Sequence, residues 1–182
     1  MGVWKTAFNT DLKDYCYKVR DKDKGRILTN INGYQSNSLN LKDEELQPLI
    51  SHIHSSTKDY IDSFLTFERD IVLQNMWINI SPPNSSNKTH THPQSYFSGV
   101  YYVSKPYDSG NIVFEHIGME LINSYWPFVN TPYQKEYNVN NSVSYNLNCN
   151  TGDCVIFPSY YRHYVDTNNS KDDRISISFN FG

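Results

Sequence analysis

The sequence lacks the features that mark secreted, membrane-spanning and nucleic-acid-binding proteins. No stretch approaches the ~20 apolar residues of a membrane helix, and the first residues have no continuous apolar run of a signal peptide. Lysine and arginine total 16 against 19 aspartates and glutamates, so the net charge is -3, and no basic cluster occurs. We therefore expect a cytoplasmic protein with no membrane partner, and the charge disfavours nucleic acid as a partner.

Cysteine is also scarce. The three cysteines are Cys16, Cys149 and Cys154. An odd number in a chain without a signal peptide predicts free thiols in a reducing compartment. Cys149 and Cys154 are not spaced as a Cys-x-x-Cys pair, so the sequence does not support a zinc ribbon.

Tyrosine, asparagine and serine are abundant, whereas charged residues make up only 19% of the chain. This composition favours a β-rich fold with many turns. A length of 182 residues suits one domain with a hydrophobic core. We predict a single domain over residues 1–182, with a helical support region at 1–69 and a strand core at 70–182.

Apolar residues in the first 69 positions recur at helical spacing in two stretches. They predict a short helix around residues 12–19 and a longer one from about Asp43 to Leu65. Pro48 suits the first turn of the second helix.

From residue 70 onward the apolar residues alternate with polar ones, and turn sequences interrupt often. Helices followed by short strands predict a mainly β fold with N-terminal helices (α+β), such as a β-sandwich or jelly roll. The candidate strands are Ile71–Ile80, Tyr96–Val103, Gly110–Phe114, Ser142–Leu147, Asp153–Phe157 and Arg174–Phe181. Predicted loops are SPPNSSNKT, SKPYDSG, VDTNNSKDDR and Tyr125–Tyr137, the last a candidate substrate lid.

The alternation leaves the role of the polar faces open. In Arg174–Phe181 the polar row begins with Arg174 and Ser176, and Asn79 belongs to the polar row of Ile71–Ile80. A solvent-exposed strand would give this pattern. A barrel whose polar interior holds a charged ligand would give it as well.

His90-Thr91-His92 is a candidate metal-binding pair. In an extended segment, residues i and i+2 point to the same side, so two imidazoles can share one ion at ~2.1 Å. His163 follows a predicted buried strand and a proline, where it could supply a third ligand.

Arg174-Ile175-Ser176 is a candidate anion clamp. Arg174 and Ser176 share one face of a strand, so a guanidinium and a hydroxyl can bind the same carboxylate. Each piece alone is a common surface feature. The order His-x-His, distal His and Arg-x-Ser is far more specific.

This order resembles the 2-oxoglutarate/iron(II) oxygenases, whose fold is a double-stranded β-helix related to the jelly roll and the cupins. His90 matches the first metal ligand, His163 the distal ligand, and Arg174 with Ser176 the clamp on the cosubstrate carboxylate. Asn79 matches a position that often hydrogen-bonds 2-oxoglutarate. The resemblance implies Fe(II), 2-oxoglutarate and O2 as cofactors, and a dioxygenase that hydroxylates a small-molecule or peptide substrate with release of succinate and CO2.

A closer resemblance is to a small subfamily of marine bacteria and cyanophages, which would place the protein in a host cytoplasm if a phage encodes it. It runs from about residue 30 to the C-terminus. The stretches that carry it are Gly33-Tyr34-Gln35-Ser36, Trp77-Ile78-Asn79, His90-Thr91-His92-Pro93, Ser98-Gly99-Val100-Tyr101-Tyr102, Phe157-Pro158-Ser159 and Arg174-Ile175-Ser176-Ile177-Ser178-Phe179-Asn180.

His92 departs from the wider family pattern, because an Asp or Glu usually completes the two-histidine, one-carboxylate triad. The resemblance implies His90, His92 and His163 as the ligands. Glu115, at the end of a predicted strand, is an alternative source of a carboxylate. Trp77, Tyr101 and Tyr102 are candidate pocket residues, with ordinary core packing as the competing interpretation.

Two other interpretations compete with the oxygenase. A cupin-type metal-binding protein or enzyme would explain the histidines but has no particular need for the Arg-x-Ser clamp. A non-catalytic jelly-roll binding or structural protein would need the whole pattern to arise by chance. The sequence leaves the oligomeric state open, with a homodimer among the options.

Overall fold

The computed structural model describes residues 3–63, 70–116, 118 and 142–182. A 3-10 turn at Glu44–Leu46 leads directly into the longer of the described helices. The helices are α1 (Lys13–Lys22) and α2 (Gln47–Asp62). The strands are β1 (Trp4–Ala7), β2 (Asn30–Ile31), β3 (Tyr34–Gln35), β4 (Leu73–Ser81), β5 (Ser86–His90), β6 (Phe97–Ser104), β7 (Ile112–Glu115), β8 (Ser144–Leu147), β9 (Asp153–Pro158), β10 (Arg162–Val165) and β11 (Arg174–Phe181).

The strands form two antiparallel sheets. In the described residues the larger sheet has the order β1-β9-β6-β11-β4-β3 and the smaller one the order β2-β5-β10-β7-β8. Consecutive strands of the chain alternate between the sheets from β4 to β7, which is the winding of a double-stranded β-helix. The predicted fold class is confirmed.

The helices cover the outer face of the larger sheet. One apolar cluster joins α1 and α2 to the residues of β4 and β11 that face them, among them Ile175, Ile177 and Phe179. Because side chains alternate along a strand, the opposite row of β11 faces the interior between the sheets. Arg174 and Ser176 belong to this interior row and are buried. The polar alternation therefore marks a polar barrel interior rather than a solvent face.

All six predicted strands are present, with boundaries that differ by at most two residues from the predictions. The prediction that SPPNSSNKT is only a loop is wrong, because its last residues form β5. The strands β1, β2, β3 and β10 were also not predicted. Each has only two to four residues, too few to show alternation clearly.

The two predicted helices are confirmed, and Pro48 lies in the first turn of α2 as expected. The first 69 residues also contribute three short strands to the sheets, which helical spacing could not predict. The predicted last residue of the second helix, Leu65, and the predicted loop Tyr125–Tyr137 lie outside the described residues. None of the described helices is long and apolar enough to cross a membrane.

Candidate functional site

Strand pairing in the smaller sheet brings the three predicted histidines together. His90 ends β5 and is the cross-strand partner of His163 on β10. His92 follows two residues later, and its backbone N–H donates to the carbonyl of Ser159 at 3.0 Å, just beyond the end of β9. One ring nitrogen from each histidine lies within 4.8 Å of the others. Residues 73 positions apart in the chain thus converge on one point.

Hydrogen bonds fix which ring nitrogen of two histidines is free. His90 Nδ1 lies 2.7 Å from the carbonyl oxygen of Lys88, and His163 Nδ1 lies 2.9 Å from that of Tyr161. A carbonyl can only accept, so both Nδ1 atoms carry the hydrogen and both Nε2 atoms keep a lone pair. Backbone partners of this kind orient metal-binding histidines in other proteins.

The spacing of the nitrogens suits a shared ion. His92 Nε2 and His163 Nε2 are 3.4 Å apart. Two nitrogens that each bind one metal at ~2.1 Å with a tetrahedral angle would be ~3.4 Å apart. The nitrogens of His92 and His163 therefore have the spacing needed to share one cation.

Burial keeps these imidazoles neutral. His163 is only 4% exposed, and desolvation together with the neighbouring His90 lowers its pKa to about 3. Desolvation and His90 also lower the pKa of His92 to about 4, and burial lowers the pKa of His90. A neutral imidazole is the form that binds metal, so the site is ready to do so at neutral pH.

Aromatic side chains hold the histidine rings in place. The ring of Phe157 packs edge-on against His163 with centroids 4.8 Å apart, and Phe114 lies 6.0 Å from the same ring. The ring centroids of Trp77 and His92 are 5.7 Å apart. This packing limits ring rotation and keeps the three nitrogens close together.

Glu115 does not join the cluster. It pairs across strands with Arg162, the residue before His163, so its side chain lies on the opposite face of the smaller sheet. Its carboxylate is 3.1 Å from Arg162 Nε and also accepts a hydrogen bond from Thr89. The alternative in which Glu115 supplies a carboxylate to the metal is therefore wrong.

A cavity of about 310 Å³ lies between the two sheets. This volume falls at the lower end of the range usual for small-molecule sites. The residues of the predicted site, His90, His92, His163, Arg174, Ser176 and Asn79, all contribute to its wall.

Arg174 is buried in this wall, and its two terminal guanidinium nitrogens differ in their hydrogen bonding within the described structure. Nη1 donates to the carbonyl of Ser109 and, at 3.2 Å, to that of Asp166. Nη2 is buried and has no hydrogen-bond partner among the described residues. Burial also lowers the pKa of Arg174. A buried, unpaired guanidinium nitrogen is costly, and an anion in the cavity would satisfy it.

Gly110 is needed for this placement. Its φ is +80°, a conformation that side chains rarely adopt. A Cβ at this position would clash with the carbonyl oxygen of Asp166 and would lie 2.8 Å from Arg174 Nη1. The loop can therefore wrap around the guanidinium only if position 110 has no side chain.

Ser176 and Asn79 face each other across β11 and β4. Both line the cavity, and Asn79 Nδ2 donates to Ser178 Oγ at 3.0 Å. The carbonyl oxygen and second amide hydrogen of Asn79 have no other partner in the described structure. Together with Arg174 they form a polar wall able to bind a carboxylate.

The two neighbouring tyrosines of β6 have opposite roles. Tyr102 lines the cavity and is the cross-strand partner of Ser176, whereas Tyr101 belongs to the apolar cluster under the helices. The hydroxyl of Tyr101 donates to the carbonyl oxygens of Phe8 and Thr10. The prediction that Tyr101 lines the pocket is wrong, because strand alternation sends it to the other face of the sheet.

Sequence reasoning did not single out Arg26. It lies in the segment between α1 and β2 and contributes to the wall of the same cavity. In the sequence it is one cation in the polar stretch DKDKGR, and no motif distinguishes it from its neighbours. Only the folded structure brings it beside β3 and the cavity.

The donor set fits a divalent transition metal with a keto-acid cosubstrate. Imidazole nitrogens bind iron, zinc, copper and nickel, and an Arg–Ser pair suits the distal carboxylate of a dicarboxylate. The unpaired Nη2 of Arg174 is the observation that favours the anion in particular.

Comparison with known proteins agrees with this chemistry. A family described as "Putative 2OG-Fe(II) oxygenase" matches residues 75–180. The comparison with curated proteins found no match.

Three solved structures illustrate the fold likeness. A Pseudomonas putida prolyl-4-hydroxylase is 13% identical, with a TM-score of 0.67 over 99% of this chain and 91% of that one. The viral collagen prolyl hydroxylase of Paramecium Bursaria Chlorella virus-1, in its 2OG complex, is 13% identical, with a TM-score of 0.59 over 98% and 94%. HygX from Streptomyces hygroscopicus, with nickel and 2-oxoglutarate bound, is 9% identical, with a TM-score of 0.59 over 100% and 82%. At these identities the likeness shows a common fold.

Proposed function

The chain belongs to the 2OG-Fe(II) oxygenase family, and from that premise we propose that it hydroxylates an organic substrate while converting 2-oxoglutarate to succinate and CO2. One atom of O2 enters a substrate C–H bond as a hydroxyl group, and the other enters the new carboxylate of succinate. Each half of the reaction is a two-electron oxidation, so together they account for the four-electron reduction of O2.

Three neutral imidazoles would hold the iron in this proposal. His90 and His163 present Nε2 because their Nδ1 atoms donate to backbone carbonyls, and His92 Nε2 lies beside them. When bound, iron(II) would supply the redox centre for the reaction of 2-oxoglutarate with O2. The aromatic rings around the histidines keep their orientation fixed and limit the access of water.

Arg174, Ser176 and Asn79 would bind 2-oxoglutarate. The buried Nη2 of Arg174, which has no partner among the described residues, is the observation that carries this assignment. The distal carboxylate would pair with this nitrogen and with the Ser176 hydroxyl, while Asn79 would donate its second amide hydrogen. The keto-acid end would then face the histidines that line the same cavity.

The protein is proposed to be a member of the marine-bacterial and cyanophage subfamily and to act in the cytoplasm. The quoted sequence stretches support the subfamily assignment. The substrate would be a small molecule or a peptide, with no role for membrane or nucleic acid. A homodimer remains one of the oligomeric states to be measured.

A single-turnover experiment tests the reaction. The protein is loaded with Fe(II) and 2-oxoglutarate without oxygen and then mixed with ¹⁸O₂ and ascorbate, which supplies the two electrons that the substrate C–H bond would otherwise give. Succinate is then analysed by mass spectrometry. We expect succinate with one labelled oxygen, and none from His163→Ala. Recovery of unchanged 2-oxoglutarate from protein that had bound both iron and cosubstrate would contradict the proposal and favour a cupin-type protein that does not use 2-oxoglutarate.

A further inference from the structure

The cavity carries an excess of positive charge. Among the described residues that line it, Arg26 and Arg174 are the charged side chains, and no Asp or Glu is present. Three neutral imidazoles add no negative charge, so a divalent ion and two guanidiniums carry four positive charges, of which 2-oxoglutarate cancels two. Uncompensated charge in a buried site is costly, so a further anion would be favoured there.

Arg26 is the cation that the cosubstrate assignment leaves unused. Its Nε is buried and has no hydrogen-bond partner in the described part of the chain, and no ion pair there involves it. The residue is half-buried rather than free in solvent. Its side chain therefore lies in the cavity wall with donor capacity that no described protein group uses.

The segment that carries Arg26, residues 23–30, is held in a fixed shape at its start. The carboxylate of Asp23 accepts hydrogen bonds from the backbone N–H of Gly25 at 2.9 Å and of Asn37 at 2.7 Å. Gly25 has a φ of +67°, and a Cβ there would lie 2.6 Å from the carbonyl oxygen of Gln35. The turn before Arg26 thus depends on a glycine and on an internal carboxylate cap.

Backbone hydrogen bonds also connect this segment to both sheets, at Arg26 and at Thr29. The Arg26 N–H donates to the Gln35 carbonyl on β3 at 2.8 Å, and the Thr29 carbonyl accepts from Lys88 on β5 at 2.9 Å. Asn30 closes the turn, since its amide donates to the Arg26 carbonyl and its oxygen accepts from Leu28 N–H. Arg26 is therefore presented from a preformed loop, which reduces the entropic cost of binding.

The surroundings of Arg26 suit an organic anion. Leu28, two residues after Arg26, also lines the cavity and is 60% exposed, and Trp77 contributes an aromatic surface to the same cavity, with its ring centroid 5.7 Å from that of His92. Asn75 also lines the cavity, and its amide nitrogen has no partner among the described residues. The wall thus combines a cation with an apolar and an aromatic surface.

We propose that the primary substrate is a small organic molecule with a carboxylate or phosphate group, and that Arg26 binds this group. The proposal rests on the proposed function, because it takes Arg174 as the partner of 2-oxoglutarate. A carboxylate and a phosphate would both pair with a guanidinium, so the binding experiment compares the two.

Calorimetry on the nickel(II) protein saturated with 2-oxoglutarate tests the proposal without turnover. The probes are benzoate, phenyl phosphate and the neutral benzamide, which matches benzoate in shape. We expect at least one anion to bind about tenfold more tightly than benzamide, and Arg26→Gln to remove that preference. A carboxylate substrate predicts benzoate as the tighter probe, and a phosphate substrate predicts phenyl phosphate.

Two further variants distinguish a specific role of Arg26 in anion binding from the effect of removing any one positive charge. Arg26→Lys keeps the charge and should retain part of the anion preference. Arg20→Gln removes the same charge from an exposed position on α1 and should bind every probe as the natural protein does. Thermal unfolding of each variant confirms that the fold is intact.

Three results would overturn the proposal. The first is that the natural protein binds neither anion more tightly than benzamide, or that neither anion binds at millimolar concentration. The second is an anion preference that Arg26→Gln leaves intact. The third is a loss of 2-oxoglutarate affinity in Arg26→Gln as large as in Arg174→Gln, which would assign Arg26 to the cosubstrate.

Repeating the titration on metal-free protein separates this proposal from the proposed function. If 2-oxoglutarate fails to bind the nickel protein, the oxygenase assignment fails. If the anions then bind the metal-free protein and this binding still depends on Arg26, the anion site is supported independently of the oxygenase assignment.

Discussion

Arg174 illustrates how one buried side chain can define a ligand. Its Nη1 donates to backbone carbonyls, whereas Nη2 is buried and has no partner in the part of the chain that the structure describes. We expect Arg174→Gln to weaken 2-oxoglutarate binding by about 1.5–3 kcal/mol, because a charge-assisted hydrogen bond is lost. Calorimetry on the nickel-loaded protein measures this change, and nickel affinity should stay nearly constant.

The exposed Arg20→Gln variant is the matched control for charge. It should bind 2-oxoglutarate with unchanged affinity. An unchanged affinity in Arg174→Gln as well, with the fold intact, would remove Arg174 from the cosubstrate site.

For iron(II) affinity, we expect the type of ligand at position 92 to matter less than the presence of a ligand there. His163→Ala removes a buried imidazole whose Nε2 lies 3.4 Å from that of His92, and we expect metal affinity to fall roughly 100-fold or more. His92→Asp restores the two-histidine, one-carboxylate set of the wider family and should keep iron(II) binding. Anaerobic iron titration of both variants checks this, and equal losses in the two would argue against position 92 as a ligand position that accepts a carboxylate.

At the scale of the element, the loop that contains Gly110 positions the clamp. Gly110→Ala would force a Cβ against the Asp166 carbonyl and Arg174 Nη1. We expect a loss of roughly 1–3 kcal/mol in the free energy of unfolding together with weaker 2-oxoglutarate binding.

Gly118→Ala is the control for this change, because its Cβ would meet the His116 ring only at ordinary contact distance. Urea unfolding and cosubstrate titration of the two variants give the comparison. A Gly110→Ala protein with natural stability and affinity would show that the loop does not set the position of Arg174.

The elements that could be predicted from sequence are those with long, regular patterns. The eight-residue alternation of β11 and the apolar stripe of α2 were sufficient to predict both. The two short strands that carry the histidines were not predicted. β5 is polar and has no fully buried residue, and β10 has only four residues, so pairing with neighbouring strands rather than local pattern makes them strands.

The residues of the site also divide into those that could be predicted from the sequence and those that could not. Side chains close in sequence, such as His90 with His92 and Arg174 with Ser176, could be predicted from the two-residue period of a strand. Arg26 could not be predicted as a site residue. It reaches the cavity because β2 pairs with β5 and because its backbone N–H donates a hydrogen bond to the Gln35 carbonyl. The same period could not decide which of Tyr101 and Tyr102 faces inward, since that depends on which face the helices cover.

For the whole molecule, buried neutral histidines make stability depend on pH. The pKa values of His163 and His92 are about 3 and 4 in the folded protein, below the ordinary value near 6.5. Between about pH 6.5 and 4 the unfolded chain therefore takes up protons that the folded chain does not. The metal-free protein should accordingly lose stability as the pH falls, by roughly 1–3 kcal/mol between pH 7 and 5.

Urea unfolding of metal-free protein at pH 7 and pH 5 measures this loss. His163→Asn provides the comparison, because it cannot take up a proton and should show a smaller dependence. Equal stability of the natural protein at the two pH values would mean that the histidines are more accessible to water than the structure shows.

The anaerobic addition of iron(II) and then 2-oxoglutarate tests the central claim most directly, namely that the three histidines and Arg174 form one metal and cosubstrate centre. The family resemblance predicts a weak visible charge-transfer band that needs both additions and disappears in His163→Ala. In Arg174→Gln the band should form only at higher 2-oxoglutarate concentrations. Iron binding without a band at any 2-oxoglutarate concentration would contradict the account.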